Sequence, residues 1–213
     1  MDRSPEDLAR AVLDRYGTPF SDDAGIELED APAPLFQLLV LAELLSARIG
    51  AGIAVAAAVE LRKAGWTTAV SMRDARRPSV IAALGRAGYR RYDERTATQL
   101  RDMAELVLDR YGSDLRRLVE TAERDVERAA RLIQEVNGIG PTGAAVFLRE
   151  VQAVWPWVRP YLDDRARAGA RRIGLGDDAT TLADLVEPAD LARFAAGLVR
   201  VSRLPAAQDP FGG

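Results

Sequence analysis

Apolar residues recur along this chain at helical spacing, and no stretch shows the strict alternation of apolar and polar residues that is typical of a half-buried strand. The pattern therefore predicts an all-α protein. The predicted helices cover residues 5–16, 35–49, 51–64, 76–86, 94–111, 114–121, 124–136, 141–153, 164–173 and 187–203, with a further turn of helix near 180–185. Residues 18–34 are predicted to form a long loop, and residues 208–213 a loose tail.

The composition excludes several kinds of chemistry. The 213 residues include no cysteine and no histidine. Disulfides, thiolate nucleophiles and cysteine-ligated iron–sulfur clusters are therefore excluded, and the commonest general base and metal ligand is missing. Catalysis would have to use carboxylates, hydroxyls, arginine, tyrosine or the single lysine, Lys63.

Two features of the sequence predict where the protein is found. It contains no run of about 20 uncharged apolar residues, so no membrane-spanning helix is expected. Its first residues, MDRSPED, are charged and lack the pattern of a signal peptide. A cytoplasmic protein without membrane partners is the expectation.

The net charge of −3 argues against a nucleic-acid ligand until its distribution is considered. Residues 1–31 hold nine acids and three bases, so the other 182 residues hold 26 bases and 23 acids. Local basic patches matter more for phosphate binding than the overall sum. Arginine supplies 28 of the 29 bases, which suits bidentate phosphate contacts, although a GC-rich genome gives the same bias.

The stretch NGIGPTGA, residues 137–144, lies between two predicted apolar helices. Gly138 and Gly140 allow a tight turn with positive φ angles, and their backbone N–H groups can approach a phosphate at the positive end of the second helix. Pro141 suits the first position of that helix. The alternative interpretation is an ordinary corner between two helices, and the spacing alone does not separate the two.

Three ordered segments resemble the superfamily of endonuclease III and the adenine glycosylases. Residues 132–147, LIQEVNGIGPTGAAVF, look like its helix–hairpin–helix, and residues 44–48, LLSAR, are similar to its LLSAQ segment. Leu162-Asp163, followed by RIG at 172–174, resembles its Val-Asp…Arg-Leu-Gly segment. Together the three segments span about residues 34–175.

The resemblance implies a helix–hairpin–helix DNA glycosylase fold with two helical lobes. A six-helix barrel lobe would cover residues 30–155 and include the hairpin. A second lobe would combine residues 1–29 with 156–213, and DNA would lie in the cleft between the lobes.

Members of this superfamily cut the bond between a base and its deoxyribose after the base has been flipped out of the stack. Asp163 falls at the family's catalytic aspartate, which stabilises positive charge on the sugar or activates the attacking water. Asp164 is the rival, because the segment from the hairpin to the aspartate is a few residues longer here than usual. The structural alternative for Asp163 is a helix N-cap.

The resemblance also predicts which steps are missing. Bifunctional members attack the sugar with a lysine at the position of Thr142, and threonine cannot form the Schiff base needed for strand cleavage. A monofunctional glycosylase without lyase activity is therefore expected, with simple first-turn packing as the alternative role of Thr142. No iron–sulfur cluster or other metal is expected, and the only cofactor for which the resemblance leaves room is a monovalent cation at the hairpin.

Other positions depart from the family's pattern. The wedge glutamine is replaced by Arg48, which would fill the hole left by the flipped base or contact the orphaned partner base. The histidine two residues after the aspartate is replaced by Arg165. Arg90 and Arg91, set between two tyrosines, suit a nucleic-acid groove. The expected DNA-binding residues are Gly138, Ile139, Gly140, Thr142, Gly143, Arg48, Arg90, Arg91 and Arg165.

Each of these side chains also has a structural interpretation. At helical spacing Arg167 shares a face with Arg171, and Arg165 roughly with Arg172, so that one such face would line the DNA. These arginines and Arg48 also suit a solvated helix surface, and the tyrosines at 89 and 92 also suit a loop packed on the core. Trp155 and Trp157 are expected to anchor the core and not to stack on bases.

The sequence thus predicts a monomeric, monofunctional DNA glycosylase of base excision repair, found in the cytoplasm with the nucleoid. Its partner would be double-stranded DNA containing a damaged or mismatched base. The alternative is a catalytically inactive DNA-binding or lesion-sensing protein of the same fold. A third hypothesis is an all-α interaction protein without DNA affinity.

Overall fold

A computed structural model describes residues 3–212, and every regular element among them is a helix. The predicted all-α class is therefore confirmed. The α-helices are α1 Pro5–Tyr16, α2 Phe20–Asp23, α3 Pro32–Ser46, α4 Ala51–Lys63, α5 Ala69–Arg73, α6 Arg77–Arg86, α7 Asp93–Tyr111, α8 Arg116–Ala122, α9 Val126–Gln134, α10 Pro141–Val151, α11 Asp164–Arg172, α12 Ala179–Ala183 and α13 Leu191–Arg203. Pro156–Val158 and Pro188–Asp190 are short 3-10 helices. None of the helices in the described range is long and apolar enough to span a bilayer.

Local capping explains where several helices begin. The side chain of Ser4 accepts a hydrogen bond from the Asp7 N–H at 3.1 Å, ahead of a proline that suits the first turn of α1. Thr68 and Ser71 form a reciprocal capping box that begins α5. The apolar pattern did not predict α5, because a helix of five residues is too short to establish a period.

The predicted loop at 18–34 and the predicted loose tail were both wrong. The loop contains α2, whose Phe20 is buried, and Pro32 already begins α3. In the tail, the Pro210 carbonyl accepts a hydrogen bond from the Tyr16 hydroxyl at 2.7 Å, and the Arg3 guanidinium lies 5.1 Å from the centre of the Phe211 ring. Residues 208–212 thus contact α1 and Arg3 just before it, and the local sequence pattern does not predict these contacts. Gly213 lies outside the described residues.

The chain divides into two compact units. The first, called the hairpin unit below, is Ser21–Phe147. The second combines Met1–Phe20 with Leu148–Gly213 and is called the Asp163 unit below. The boundaries predicted from the sequence were at residues 29 and 155.

The core of the hairpin unit is centred on α3, in which every residue from Leu38 to Leu45 is buried. Helix α4 packs on α3 and α6, while α7 packs on α5 and α6. Burial of a helix on all sides accounts for its almost wholly apolar sequence. Glu43 is the one charged residue in α3, and it is 4% exposed.

The Asp163 unit is built on α13, which packs against both α1 and α11. A glycine makes the second contact possible, because a Cβ on Gly169 of α11 would collide with the carbonyl oxygen of Leu198. Gly197 plays the same part toward α1, where a Cβ would lie 2.7 Å from a methyl group of Val12. These close contacts let α11, which begins directly after Asp163, and α1 both pack tightly on α13.

Candidate functional site

A cavity of about 350 Å³ lies within the hairpin unit. This volume is at the lower end of the range that accommodates small ligands. The end of α3, the connection from α6 to α7, the first turns of α7 and the hairpin all contribute to it. Its lining residues are Glu43, Ser46, Ala47, Arg48, Tyr89, Tyr92, Arg95, Thr96, Gln99 and Gly138.

Glu43 is the exceptional side chain of this cavity. Neither of its carboxyl oxygens has a hydrogen-bond partner among the described residues. Burial raises the pKa of Glu43 well above its usual range, the nearby Asp102 carboxylate raises it further, and the Arg95 guanidinium opposes the rise. A buried carboxyl group of this kind favours its neutral acid form, which can donate a proton. Because a buried, unpaired polar group is costly, the arrangement is typical of a ligand site.

The neighbours of Glu43 make the cavity polar without neutralising this carboxyl group. Tyr89 is buried, and its hydroxyl lies 3.3 Å from the hydroxyl of Thr96. Gln99 is 9% exposed and lies on the same face of α7 as Thr96. The cavity therefore presents hydroxyl, amide and acid groups to whatever enters it.

Gly138 joins the hairpin to this cavity. Its φ angle is +98°, in the region that favours glycine. A Cβ at this position would lie 2.8 Å from Nε2 of Gln99 and 3.0 Å from Oε1 of Glu43. The glycine is thus required both by the turn and by the two side chains beneath it.

The other hairpin residues have separate roles. Gly140 is exposed, its φ is not positive, and a Cβ there would meet nothing within 4 Å, so the expectation of positive φ at both glycines was wrong for this one. Ile139 is buried at 4% exposure. Gly143 is buried, and a Cβ there would lie 2.9 Å from Cγ2 of Ile139, so its small size serves packing. Thr142 is exposed in the first turn of α10, so first-turn packing does not explain it.

The candidate arginines of the hairpin unit are at its surface. Arg48 is exposed and lines the cavity, and its guanidinium forms no hydrogen bond or ion pair within the described part of the chain. Arg90 and Arg91 are exposed as well, and Arg91 lies 5.3 Å from the centre of the Tyr92 ring. Tyr89 is buried, as the structural interpretation of this segment predicted. The structure thus brings Arg48, Tyr89 and Gly138 together around one cavity.

Asp163 is the N-cap of α11, as the structural alternative predicted. Its Oδ1 accepts a hydrogen bond from the Ala166 N–H at 2.9 Å. Its Oδ2 accepts a hydrogen bond from Nη1 of Arg149 in an ion pair. The Asp163 side chain is 8% exposed and the Arg149 side chain 2%. Asp163 is therefore held in one orientation by two partners.

The surroundings of Arg149 are also buried. The carboxylate of Glu150, whose side chain is fully buried, lies 3.7 Å from Nε of Arg149. Gln152 supports the approach to Asp163, because its side chain donates to the carbonyls of Arg149 and Tyr161, each at 2.9 Å, and accepts from the Tyr161 N–H at 3.0 Å. This network connects the end of α10 to the segment that carries Asp163.

The arginines around Asp163 differ in what they contact. Arg167 donates to the Leu162 carbonyl at 3.0 Å, and Arg171 pairs with Asp177 at 2.8 Å. Arg172 donates to four carbonyls in the last turn of α13 and just beyond it, those of Val201, Leu204, Pro205 and Gln208. Arg165, like Asp164, is exposed. A single basic face on α11 is therefore not present, because most of its arginines stabilise the unit itself.

Trp155 and Trp157 were expected to be core anchors. Trp155 is 2% exposed, and the two rings stack with their centres 5.5 Å apart. The burial of Trp155 agrees with an anchoring role. No group of three or more Asp, Glu, His or Cys side chains in the described range is arranged to hold a metal ion.

Three functional candidates were missed from the sequence: Glu43, Arg149 and Glu150. The sequence did contain a signal for Glu43. A single carboxylate in the almost wholly apolar sequence of α3 costs free energy to bury unless a partner or a ligand compensates for it. Arg149 and Glu150 form an adjacent charged pair in an otherwise apolar stretch of α10, which is the same kind of signal. None of the three occupies a position that the quoted family motifs mark.

No family model matches this chain, and no curated protein sequence matches it either. Among solved structures it is similar to an endonuclease III trapped as a covalent intermediate with DNA, in an estranged-adenine complex. The TM-score is 0.50 and the identity 13%, with 93% of this chain and 85% of the other covered. The chain therefore has an endonuclease III-like, all-helical fold.

Proposed function

We propose that this protein is a monofunctional DNA glycosylase that removes a damaged or mismatched base from double-stranded DNA. The observation that carries the proposal is Glu43, a buried carboxyl group with no hydrogen-bond partner in the described chain, in a cavity that a hairpin glycine also lines. The endonuclease III-like fold supports DNA as the ligand of the hairpin, because the similar solved structure is itself a complex with DNA.

The proposed chemistry begins with a base flipped into the Glu43 cavity. The neutral carboxyl group donates its proton to a nitrogen or oxygen acceptor of the base. The bond between C1′ and the base nitrogen then breaks, and its electron pair leaves with the base. Water adds to C1′, and the proton that the water releases returns to the carboxylate or passes to solvent. A carboxyl group with a raised pKa suits this role as a general acid.

We assign the stabilisation of the sugar cation to Asp163, because Leu162-Asp163 resembles the segment that carries the superfamily's catalytic aspartate. Both carboxyl oxygens already accept a hydrogen bond, one from the Ala166 N–H and one from Arg149. This arrangement favours electrostatic stabilisation of the cation over removal of a proton from water. Asp164, which is exposed, is the rival for this assignment.

Thr142 supports the proposed absence of lyase activity. The exposed threonine at the first turn of α10 has no amine with which to form a Schiff base. The expected product is therefore an abasic site in an intact strand.

The second candidate function is a lesion-sensing protein without catalysis. The observation that favours it is the ion pair between Arg149 and Asp163, because a buried guanidinium offsets much of the charge that the aspartate would offer to a sugar cation. Such a protein would bind lesion-containing duplexes with a strong salt dependence and release no base.

The test is a panel of duplexes that carry uracil, thymine mismatches, oxidised purines or alkylated bases. The expected result is base release from at least one duplex, with strand breaks only after alkali or heat. Glu43→Gln, which keeps the shape of the side chain but cannot donate the carboxyl proton, should lower the rate by about 10²–10⁴-fold. Binding of the duplexes without release by the wild-type protein would instead establish the sensing function. Full activity of Glu43→Gln would remove its assigned role.

A further inference from the structure

Three guanidinium groups lie around a single ring in the Asp163 unit. Phe20 is 2% exposed, and the centre of its ring lies 4.3 Å from Arg200, 5.6 Å from Arg149 and 5.8 Å from Arg203. Each distance is within the range of a cation–π contact. An aromatic ring accommodates a cation well, but it carries no net charge to neutralise three of them.

A fourth arginine, Arg165, adds to this positive charge. The pKa of Arg203 is lowered by partial burial of its side chain and further by the guanidiniums of Arg165, Arg149 and Arg200, with Asp163 opposing them. The acids Asp163 and Glu150 both contact Arg149. We call the other three arginines, Arg165, Arg200 and Arg203, the arginine cluster.

The three members of the arginine cluster differ in how they are engaged. Arg200 donates to the Thr18 carbonyl at 2.9 and 3.3 Å, so it has a structural role. Arg165 and Arg203 have exposed side chains, and neither forms a hydrogen bond or an ion pair among residues 3–212. In contrast, Arg167, Arg171 and Arg172 all have partners within the chain.

This combination favours an anion as ligand. Mutual repulsion among arginines raises the free energy of the unliganded protein, and a bound anion with several oxygens would relieve that repulsion. Guanidinium groups match phosphate oxygens with paired hydrogen bonds. The first turn of α11 adds the positive end of its helix dipole beside Arg165.

We propose that Arg165 and Arg203, backed by Arg200 on Phe20, form a phosphate-binding site for a phosphodiester of the DNA backbone. The naming of DNA as the source of the phosphate rests on the proposed function. The site assigns DNA contact to the end of α13, a helix that the sequence motifs did not implicate. It also gives Arg165 a different role from Arg167, Arg171 and Arg172, which bind partners within the chain.

The test is duplex binding as a function of salt, measured by fluorescence anisotropy. The variants are Arg165→Gln, Arg203→Gln and the double variant, with Arg203→Lys to retain the charge. Arg171→Gln is the matched control, because Arg171 lies on the same helix as Arg165 and is exposed, but is paired with Asp177. Melting temperatures of all variants separate a binding defect from a folding defect.

The expected result is a salt slope that falls by about 0.9 for each phosphate that the double variant can no longer bind. Arg203→Lys should keep most of the slope, and Arg171→Gln should leave it unchanged. Equal slopes in the double variant and Arg171→Gln would overturn the site while leaving the proposed function intact.

A wild-type protein that binds no duplex at low salt would instead refute the proposed function, and with it the DNA source. A titration with inorganic phosphate then decides the site itself. Stabilisation of the wild-type protein that disappears in Arg203→Gln would identify a free phosphate ligand. The absence of any effect would overturn the site altogether.

Discussion

Gly138 lies directly against Glu43, so that a Cβ on the glycine would come within 3.0 Å of the carboxyl oxygen Oε1. The hairpin that resembles a phosphate-binding turn is therefore also part of the wall of a cavity that holds an unpaired acid. This contact links the most recognisable segment of the sequence to the residue on which the proposed chemistry depends.

Gly138→Ala should destabilise the protein because it combines a positive φ with contact against Gln99 and Glu43. The expected loss in the free energy of unfolding is about 1–3 kcal/mol. Gly140→Ala is the matched control, since its Cβ would enter open space, and its expected effect is within about 0.5 kcal/mol. Chemical denaturation of both variants provides the measurement. Equal losses would contradict the separate roles assigned to the two glycines.

The raised pKa of Glu43 makes stability depend on pH. Between the unfolded pKa, about 4.3, and the higher folded pKa, the native state binds more protons than the unfolded chain. The contribution of Glu43 to stability is therefore present below about pH 4 and is lost as pH rises through the folded pKa. The stability of Glu43→Gln relative to wild type should increase with pH over this range, measured by urea denaturation from about pH 4 to about pH 8. A difference that does not vary with pH would show that Glu43 titrates normally.

Asp163→Asn should leave the buried Arg149 without its main partner. Removing one partner of a buried ion pair costs about 3–5 kcal/mol, although the nearby Glu150 carboxylate should reduce the loss. Asp164→Asn, at an exposed position, should change the free energy of unfolding by less than about 0.5 kcal/mol. Chemical denaturation of the two variants provides the comparison.

A double variant separates the structural role of Asp163 from its proposed catalytic role. Arg149→Met combined with Asp163→Asn removes both charges of the pair and should recover part of the lost stability, less the cost of removing the contact between Arg149 and Glu150. Base release should stay low in the double variant if the aspartate stabilises the sugar cation. Recovery of activity together with stability would assign Asp163 a purely structural role.

Thr142→Lys should be tolerated by the fold because the side chain is exposed. If the hairpin approaches the sugar as in bifunctional glycosylases, the new amine should form a Schiff base that borohydride traps as a covalent complex with DNA. The wild-type protein should give no such complex, and Thr142→Arg provides a control with charge but no primary amine. Trapping of the wild-type protein would contradict the monofunctional assignment.

Arg48→Ala tests the residue at the wedge position of the superfamily that the sequence resembles. Arg48 is exposed at the cavity, so its loss should not lower the melting temperature. If Arg48 fills the gap left by a flipped base or contacts the partner base, base release should fall for duplex DNA and change little for single-stranded DNA. Arg101→Ala, an exposed arginine on α7, is the control. An equal loss on both kinds of substrate would exclude a wedge role.

The local pattern of the sequence determined much of the helical plan. Helical periodicity and capping residues act over three or four positions, so the bounds of α1, α4 and α7 were predicted to within two residues. The same locality explains the predicted N-cap at Asp163, since the cap and the Ala166 N–H it binds are three residues apart. Each motif that resembles a known superfamily is a short segment of the sequence, so it too could be recognised without the tertiary structure.

The tertiary structure alone decided which of these residues meet. Glu43, Gln99 and Gly138 come from α3, α7 and the hairpin, and no spacing rule relates them. The partner of Asp163 is Arg149, and not one of the arginines that follow it on α11. Likewise, the tertiary packing gathers arginines from α10 and α13 around Phe20. Such contacts depend on how helices pack, and packing is determined by the shape and burial of the whole core.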